Sequence, residues 1–342
     1  MFIPSKLFIF LLAVLFSFSS LAQVSSDYRK DPQKLKDSLL KQLKLDIDDS
    51  SKIEAYAQLI GLHLVKNATE AEPLVADALK FARSTGNGQF IFRIYVQQLT
   101  LWHKTGRDQM VLDSISVIKP YLNAVAHRKS LYAYYTSFGN ANLRLGRFDD
   151  ASKSYQQLIS RASRNNDHDI ELLGMMNFSI VLLRQNRYQE MKEVLYKVIE
   201  IAKIHRLKNE EMMAKLNLGV VEGDLNNFGK SAAYYQEVIP YLIEVGNDMA
   251  LVTCYANIGR VYTSMKKYPE ALSYTIKAIT LRQKMKDIRG EAVARMELAR
   301  LYLSTDSLKA ALQNALQAEK KFDSLKYFIE LNDVLLLKSD IL

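Results

Sequence analysis

Residues 259–278 read GRVYTSMKKYPEALSYTIKA. Apolar residues recur at helical spacing on both sides of the polar break at Lys266-Lys267: Tyr255, Ile258, Val261, Tyr262 and Met265 before it, Ala271, Tyr274, Ala278, Ile279 and Leu281 after it. The spacing predicts two amphipathic helices joined by a tight turn. One step upstream the same pattern returns as Gly219, Phe228, Ser231 and Val238, and two steps further back as Gly139, Phe148, Ala151, Tyr155 and Leu158. One step downstream it reads Ala299, Tyr302, Leu308, Ala311 and Ala318. Two columns fix the step at forty: Phe148, Tyr188, Phe228 and Tyr268, and Ile159, Ile199, Ile239 and Ile279.

Seven units fit this period without insertion, at 52–91, 92–131, 132–171, 172–211, 212–251, 252–291 and 292–331. Turn residues mark the unit boundaries: Gly86-Asn87-Gly88, Asn165-Asn166-Asp167, Gly246-Asn247-Asp248, and Asp287 with Gly290. Pro120 and Pro240 fall late in the second helix of their units, where each is expected to kink or end it. A lone helix pair cannot cover its apolar face, so neighbouring pairs must stack. The expected fold is all-α, a right-handed superhelical solenoid of antiparallel helix pairs.

Composition agrees. In 342 residues, 49% hydrophobic and 24% charged content suits a folded chain, and 13 Gly with 6 Pro is too few for a turn-dense all-β protein. A single cysteine, Cys254, excludes an intrachain disulfide and a cysteine-ligated metal cluster.

Gly139, Gly146, Phe148, Ala151 and Tyr155 resemble the tetratricopeptide pattern, in which small residues let two helices meet and aromatics wedge the next repeat. Gly259, Tyr262, Tyr268, Ala271 and Ala278 resemble it again. The period is longer than the basic unit of that family, which runs to about 34 residues. It is similar to the longer-helix variants of bacterial peptide-sensing regulators and motor-protein light chains. The first two units match least well, because Asp108 stands in the aromatic column and Gln98 in an apolar slot.

Both ends depart from the repeat. Met1–Lys6 carries one positive charge, Leu7–Phe18 is an uncharged apolar run, and Ser20-Leu21-Ala22 supplies small residues before Gln23. Residues 1–22 read as a secretory signal, too short in its apolar part for the ~20 residues of a membrane span. The mature chain is expected to be exported to the periplasm or cell envelope, with no membrane span. Removing Lys6 lowers the formal charge from +9 to +8, and the basic residues are spread with a mild excess in 126–165, 184–208 and 260–300. Export argues against nucleic acid as a partner, and the spread reads as a solvated surface. Residues 23–51 hold a capping helix at 27–46, with Leu35, Leu39, Leu40 and Leu43 on one face. Residues 332–342 begin a further helix whose circumference is mostly apolar. Leu335, Leu336, Ile341 and Leu342 are therefore candidates for an interface with a partner or a second copy of the chain.

No catalytic constellation emerges. Gly229-Lys230-Ser231 with Gly223 has the wrong glycine spacing for a phosphate loop and no preceding strand. Asp46, Asp48 and Asp49 lack the mid-loop Gly and closing Glu of a calcium loop. The five histidines, at 63, 103, 127, 168 and 205, have no helical metal-site partner, although His63 and His103 share one repeat phase. The chain is expected to be non-catalytic, without metal or cofactor.

The expected working surface is the inner face of the stack. Counted from the first residue of each unit, places 2, 6, 9 and 13 follow helical spacing away from the core. Place 6 holds Asn177, Asn217 and Asn257; place 9 holds Asn140, Arg260 and Arg300; place 13 holds Arg144 and Arg184. Asparagine both donates and accepts, which suits the amides of an extended peptide, and arginine holds carboxylates bidentately. The resemblance implies peptide binding on this face. The asparagine column is equally accounted for as residue usage that steadies neighbouring helices. A known clamp for terminal carboxylates needs lysines at places 2 and 5, and place 5 here holds Thr136, Met176, Leu216 and Ala256. The expected partner is a protein or peptide segment with acidic and apolar side chains. Two roles follow: a binding scaffold in the envelope, or the extracytoplasmic input domain of a signalling protein.

Overall fold

The computed structural model describes residues 31–124 and 127–342. The export segment read at 1–22 lies outside them. The described chain is an all-α solenoid of consecutive antiparallel helices, and it divides into two compact units at 187/188.

The N-terminal unit holds α1 (Pro32–Leu43), α2 (Asp49–Lys66), α3 (Glu72–Ser84), α4 (Gly88–Lys104), α5 (Asp108–Asp113), α6 (Ile115–Ile118), α7 (Arg128–Arg144), α8 (Phe148–Arg164) and α9 (His168–Arg184). Asp31 and Asp48 cap α1 and α2, accepting the backbone N–H of Lys34 and Ser51 at 3.0 and 2.9 Å. Leu35 and Leu39 of α1 are buried against Ala55 and Leu59 of α2. The second helix of the next pair is broken. Ser114, whose hydroxyl donates to the Val111 carbonyl at 2.7 Å, separates α5 from α6, and Pro120 lies in the 3-10 turn Lys119–Ala124 that follows. The core of this unit centres on Phe92, Ile94, Leu99, Ile118 and Phe138.

The C-terminal unit holds α10 (Tyr188–Ile204), α11 (Lys208–Asp224), α12 (Phe228–Glu244), α13 (Asp248–Ser264), α14 (Tyr268–Lys284), α15 (Ile288–Ser304), α16 (Leu308–Ser324) and α17 (Phe328–Ile341). Pro240 does not end its helix, because α12 continues through it to Glu244. The first helix of each pair is enclosed and the second is one-sided. Twelve of the seventeen residues of α11 are buried, against five in α12. A helix packed by a neighbour on either flank has little face left for water, whereas the outer helix keeps a polar side.

From α7 onward the helices start in even steps, at 128, 148, 168, 188 and so on to 328. A left-handed residue stands in nearly every connecting turn. Gly106, Gly146 and Gly246 take it without strain, while Asn166, Asn186, Arg206, Asn226, Lys266, Lys286, Asp306 and Lys326 adopt it at φ of 56–61°. The turn closes the helix below: Lys267 N–H donates to the Tyr262 carbonyl and Lys266 N–H to that of Thr263, both at 2.9 Å. Each pair therefore starts at 128, 168, 208, 248 or 288, four positions before the boundary read from apolar spacing. The first turn of α7 and of α11 is mostly polar (Arg128-Lys129-Ser130, Lys208-Asn209-Glu210), so the apolar pattern there starts a turn late. Gly290 is likewise not a turn residue. It sits in the first turn of α15 with its N–H donated to Asp287 Oδ1 at 2.8 Å.

Candidate functional site

The leading helices are largely enclosed, and on four of them part of what stays accessible falls in a stripe along the helix. On α7 it runs through Ala133, Thr136, Asn140 and Arg144, and on α9 through Leu173, Met176 and Arg184. In the C-terminal unit it runs through Thr253, Ala256, Arg260 and Ser264 on α13, and Val293, Glu297, Arg300 and Ser304 on α15. On α11 the matching residues Met213, Leu216 and Val220 are buried. The stripe follows places 2, 5, 9 and 13 on α7 and α13, and places 2, 6, 9 and 13 on α15, where Met296 at place 5 is buried.

Place 6 is a correction. Asn177, Asn217 and Asn257 are buried, at 7%, 1% and 6% exposure, and do not line an open face. One residue is 100° of helix, enough on α9 and α13 to turn place 6 under the neighbouring helix while Met176 and Ala256 at place 5 stay accessible; on α11 both places are buried. Asn257 works inside the fold: its Oδ1 accepts from Arg260 Nη2, and its side chain hydrogen-bonds the hydroxyl of the fully buried Tyr235. Burial pushes that phenol far above its ordinary range.

The other expected groove residues are accessible to different degrees. Asn140 is half-buried and accepts the Tyr155 hydroxyl at 2.6 Å. Arg184 is exposed, and Arg260 is half-buried beside Asn257. Arg300 is exposed and paired with Glu297 at 2.9 Å. Arg144 reaches into the fold, donating from Nη1 to Asp108 Oδ2 at 2.9 Å and to the His103 carbonyl at 3.0 Å. Asp108, 3% exposed, also meets His103 Nδ1 at 2.6 Å. Burial holds His103 below its ordinary value, against the pull of Asp108, so the neutral imidazole is the form present at neutral pH. At the position where later pairs have an aromatic, a buried carboxylate is thus held by a half-exposed guanidinium and an imidazole.

At the other end of α7 lies a pocket of about 240 Å³, lined by Arg128, Leu131 and Tyr132 of α7 and by Arg161, Arg164 and Asn165 from the end of α8. The only trace of it in the sequence is the basic excess across 126–165. On the final helix, Leu335 and Leu336 are exposed at 46% and 60%, Ile329 at 80% and Leu342 at 89%. Ile341 is a second correction: it is buried with Val334 and Leu337 against Ala292, Ala315 and Phe322. Among the described residues no group of three or more His, Cys, Asp or Glu is placed to hold a metal ion, and no helix is long and apolar enough to cross a membrane.

Residues 132–165 and 251–285 each match a tetratricopeptide-repeat family model. These two segments are similar to tetratricopeptide repeats. No curated protein sequence matches the chain. Among solved structures the chain is similar to a Signal Transduction ATPase with Numerous Domains from Pyrococcus horikoshii that carries a tetratricopeptide repeat sensor (TM-score 0.71, 15% identity, 92% of this chain and 47% of that one). It is also similar to a Rap protein complexed with Competence and Sporulation Factor (TM-score 0.62, 10% identity, 92% and 93% covered). The apo quorum sensor NprR from B. thuringiensis is similar to the same extent (TM-score 0.61, 12% identity, 92% and 94%). At these identities the likeness is one of fold.

Proposed function

We propose that the protein is an exported, non-catalytic scaffold that binds an extended peptide or protein segment along the accessible stripe of its leading helices. The observation that carries this reading is the stripe itself. Largely enclosed, α13 and α15 leave open a line of small residues (Ala256, Ser264, Ser304) flanked by the guanidinium groups of Arg260 and Arg300. Small residues admit a chain close to the helix, and arginines anchor carboxylates by paired hydrogen bonds. Among the neighbours of similar fold are a quorum sensor by name and a Rap protein in complex with a named factor. The spacing of the two aligned columns supports reading the chain as a long-repeat variant of the family.

The test is capture from envelope extract by the purified protein, beside a variant carrying Ala256→Tyr and Arg300→Glu. A partner held by the wild type and lost by a variant of unchanged melting temperature supports the groove. The same partners on both refute it. Fractionation of the native host and mass determination of the mature N-terminus test export, with Gln23 the expected first residue.

A second reading, the extracytoplasmic input domain of a signalling protein, is favoured by the uncovered apolar face of α17, where Ile329, Leu335 and Leu336 face solvent. That face suits contact with another element or a second copy. Loss of a signalling output, with no captured partner affected by the stripe variant, would favour this role.

A further inference from the structure

The basic pocket at the end of the α7–α8 pair is not accounted for by the repeat. Arg161 stands where the following pairs have Ile201, Tyr241 and Leu281. Cations in the last turn of a helix ordinarily answer its dipole and a nearby carboxylate. That is the situation on α14, where Arg282 pairs with Asp287 at 2.5 Å and Lys284 with Asp248 at 3.0 Å. Around α8 the charges are left over. Arg164 spends its guanidinium on the carbonyl and hydroxyl of Ser160, at 3.1 and 3.3 Å. Arg161 lies over the Tyr135 ring at 5.4 Å, and its buried Nε has no hydrogen-bond partner among the described residues. Arg128, 62% exposed, reaches Asp167 only at 4.0 Å. Asp167 is itself engaged by the Tyr132 hydroxyl, which also accepts from Asn165 Nδ2 at 2.8 Å. Three guanidinium groups and one carboxylate leave a local charge of about +2 around an open pocket.

We propose that this pocket binds a phosphoryl group, as the monoester of a side chain or small molecule or as the free anion. A phosphoryl group carries about −1.5 to −2 at neutral pH and three acceptor oxygens, matching the surplus charge and the donors around the rim. A single carboxylate would leave half of that charge unanswered. Arg161 and Arg128 approach from different helices and can each bond a separate oxygen. Tyr132, Asn165 and Asp167 hold one another, which keeps the floor in place, and Leu131 supplies an apolar wall for the atoms that carry the phosphoryl group. The site is separate from the stripe of the leading helices and does not depend on what that stripe binds.

The experiment is calorimetric titration of the full chain at constant ionic strength with three probes: inorganic phosphate, a short peptide carrying phosphoserine, and the same peptide with glutamate in its place. Saturable binding of the phosphopeptide, at least about tenfold tighter than the glutamate peptide, is expected. Arg128→Gln and Arg161→Gln should each weaken it about tenfold or more, the effect of one charge-assisted hydrogen bond, and Arg161→Lys should recover part of the loss. Inorganic phosphate binding as tightly as the phosphopeptide would support the site and identify the free anion as its ligand; tighter peptide binding would identify a phosphorylated side chain. Should Arg161→Gln not fold, the exposed Arg128→Gln decides the matter alone. Absence of saturable binding by both phosphorylated probes, equal binding of the glutamate peptide, or affinity unchanged in Arg128→Gln would each overturn the proposal.

Discussion

Gly139 and Gly219 occupy the same column of the repeat and face a tyrosine from the second helix of their own pair. A Cβ on Gly139 would lie 2.5 Å from Tyr155 Cε1 and 2.7 Å from its Cζ, and one on Gly219 would lie 2.9 Å from Tyr235 Cε1. Carbon contacts settle near ~3.5 Å, so Gly139→Ala must displace its ring by about 1 Å and Gly219→Ala by about 0.6 Å. Both rings are fully buried, and Tyr155 is further held by its bond to Asn140. Overpacking of this kind costs about 1–3 kcal/mol, while alanine in a helix returns about 1 kcal/mol over glycine. The balance is a loss of about 1–2 kcal/mol for Gly139→Ala and roughly zero for Gly219→Ala. Gly229, in the first turn of α12, has nothing within 4 Å of an added Cβ, so Gly229→Ala should be neutral or stabilising by a few tenths of a kcal/mol. Thermal melts of the three variants should rank Gly139→Ala below Gly219→Ala below Gly229→Ala, at about 2 °C per kcal/mol for a chain of this length. Stacked repeats need not melt as one unit, so amide exchange across 128–164 provides the local measurement. A Gly139→Ala protein that melts at or above wild type, with unchanged exchange in that pair, would refute the packing argument.

Asn257→Ala should cost about 1 kcal/mol of stability through its lost bonds to Arg260 and Tyr235, read as a lower melting temperature. For Glu291, burial opposes the charge, but Lys321, Gln283 and Arg295 outweigh it and hold the carboxyl below its ordinary range. Its folded value is below the unfolded one, so its stabilisation is complete above about pH 4.3 and is lost as pH falls through the folded value. Urea midpoints of Glu291→Gln should accordingly fall less steeply in acid than those of wild type; parallel acid limbs would contradict this. Asp224 has the opposite sign, since burial raises it to about 6 against the pull of Arg260. The folded protein holds that proton more tightly than the unfolded chain, so Asp224→Asn should exceed wild type in stability at neutral pH and converge with it near pH ~4. If the exposed face of α17 mediates self-association, Leu336→Glu should lower the mass seen by light scattering, and an unchanged mass removes that role.

The helix-pair architecture is legible because packing repeats its demands. An aromatic at 148, 188, 228 and 268 and an isoleucine at 159, 199, 239 and 279 return at the same places of four successive pairs, and the period emerges from that. Phase is harder to read. The first turns of the leading helices mix polar and apolar residues, as in Lys208-Asn209-Glu210 and Asp248-Met249-Ala250, so apolar spacing alone starts the unit four positions late. Groove residues are legible to within one position, which is not enough. Places 5 and 6 differ by 100°, and only the flanking helix decides which of them is covered. Pro240 reads as a break, yet α12 runs through it, whereas Pro120 follows a stretch already interrupted at Ser114.

Departures from the repeat columns carry a different kind of information. A column held by packing tolerates only residues that fill the same space, so a charged residue in it must be matched by specific partners or by a ligand. Asp108, in the aromatic column, is of the first sort: His103 and Arg144 surround its carboxylate, and the second helix of that pair is broken beside it. Arg161, in a half-buried column otherwise of Ile201, Tyr241 and Leu281, answers to the second under the phosphoryl proposal: among the described residues its guanidinium lies over the Tyr135 ring and lines an open pocket. The basic excess over 126–165 reads as ordinary surface when residues are counted along the chain. It becomes a site only when the antiparallel pairing of α7 and α8 brings Arg128 to Arg161 and Arg164, joining the start of one helix to the end of the next in a way that charge totals do not contain.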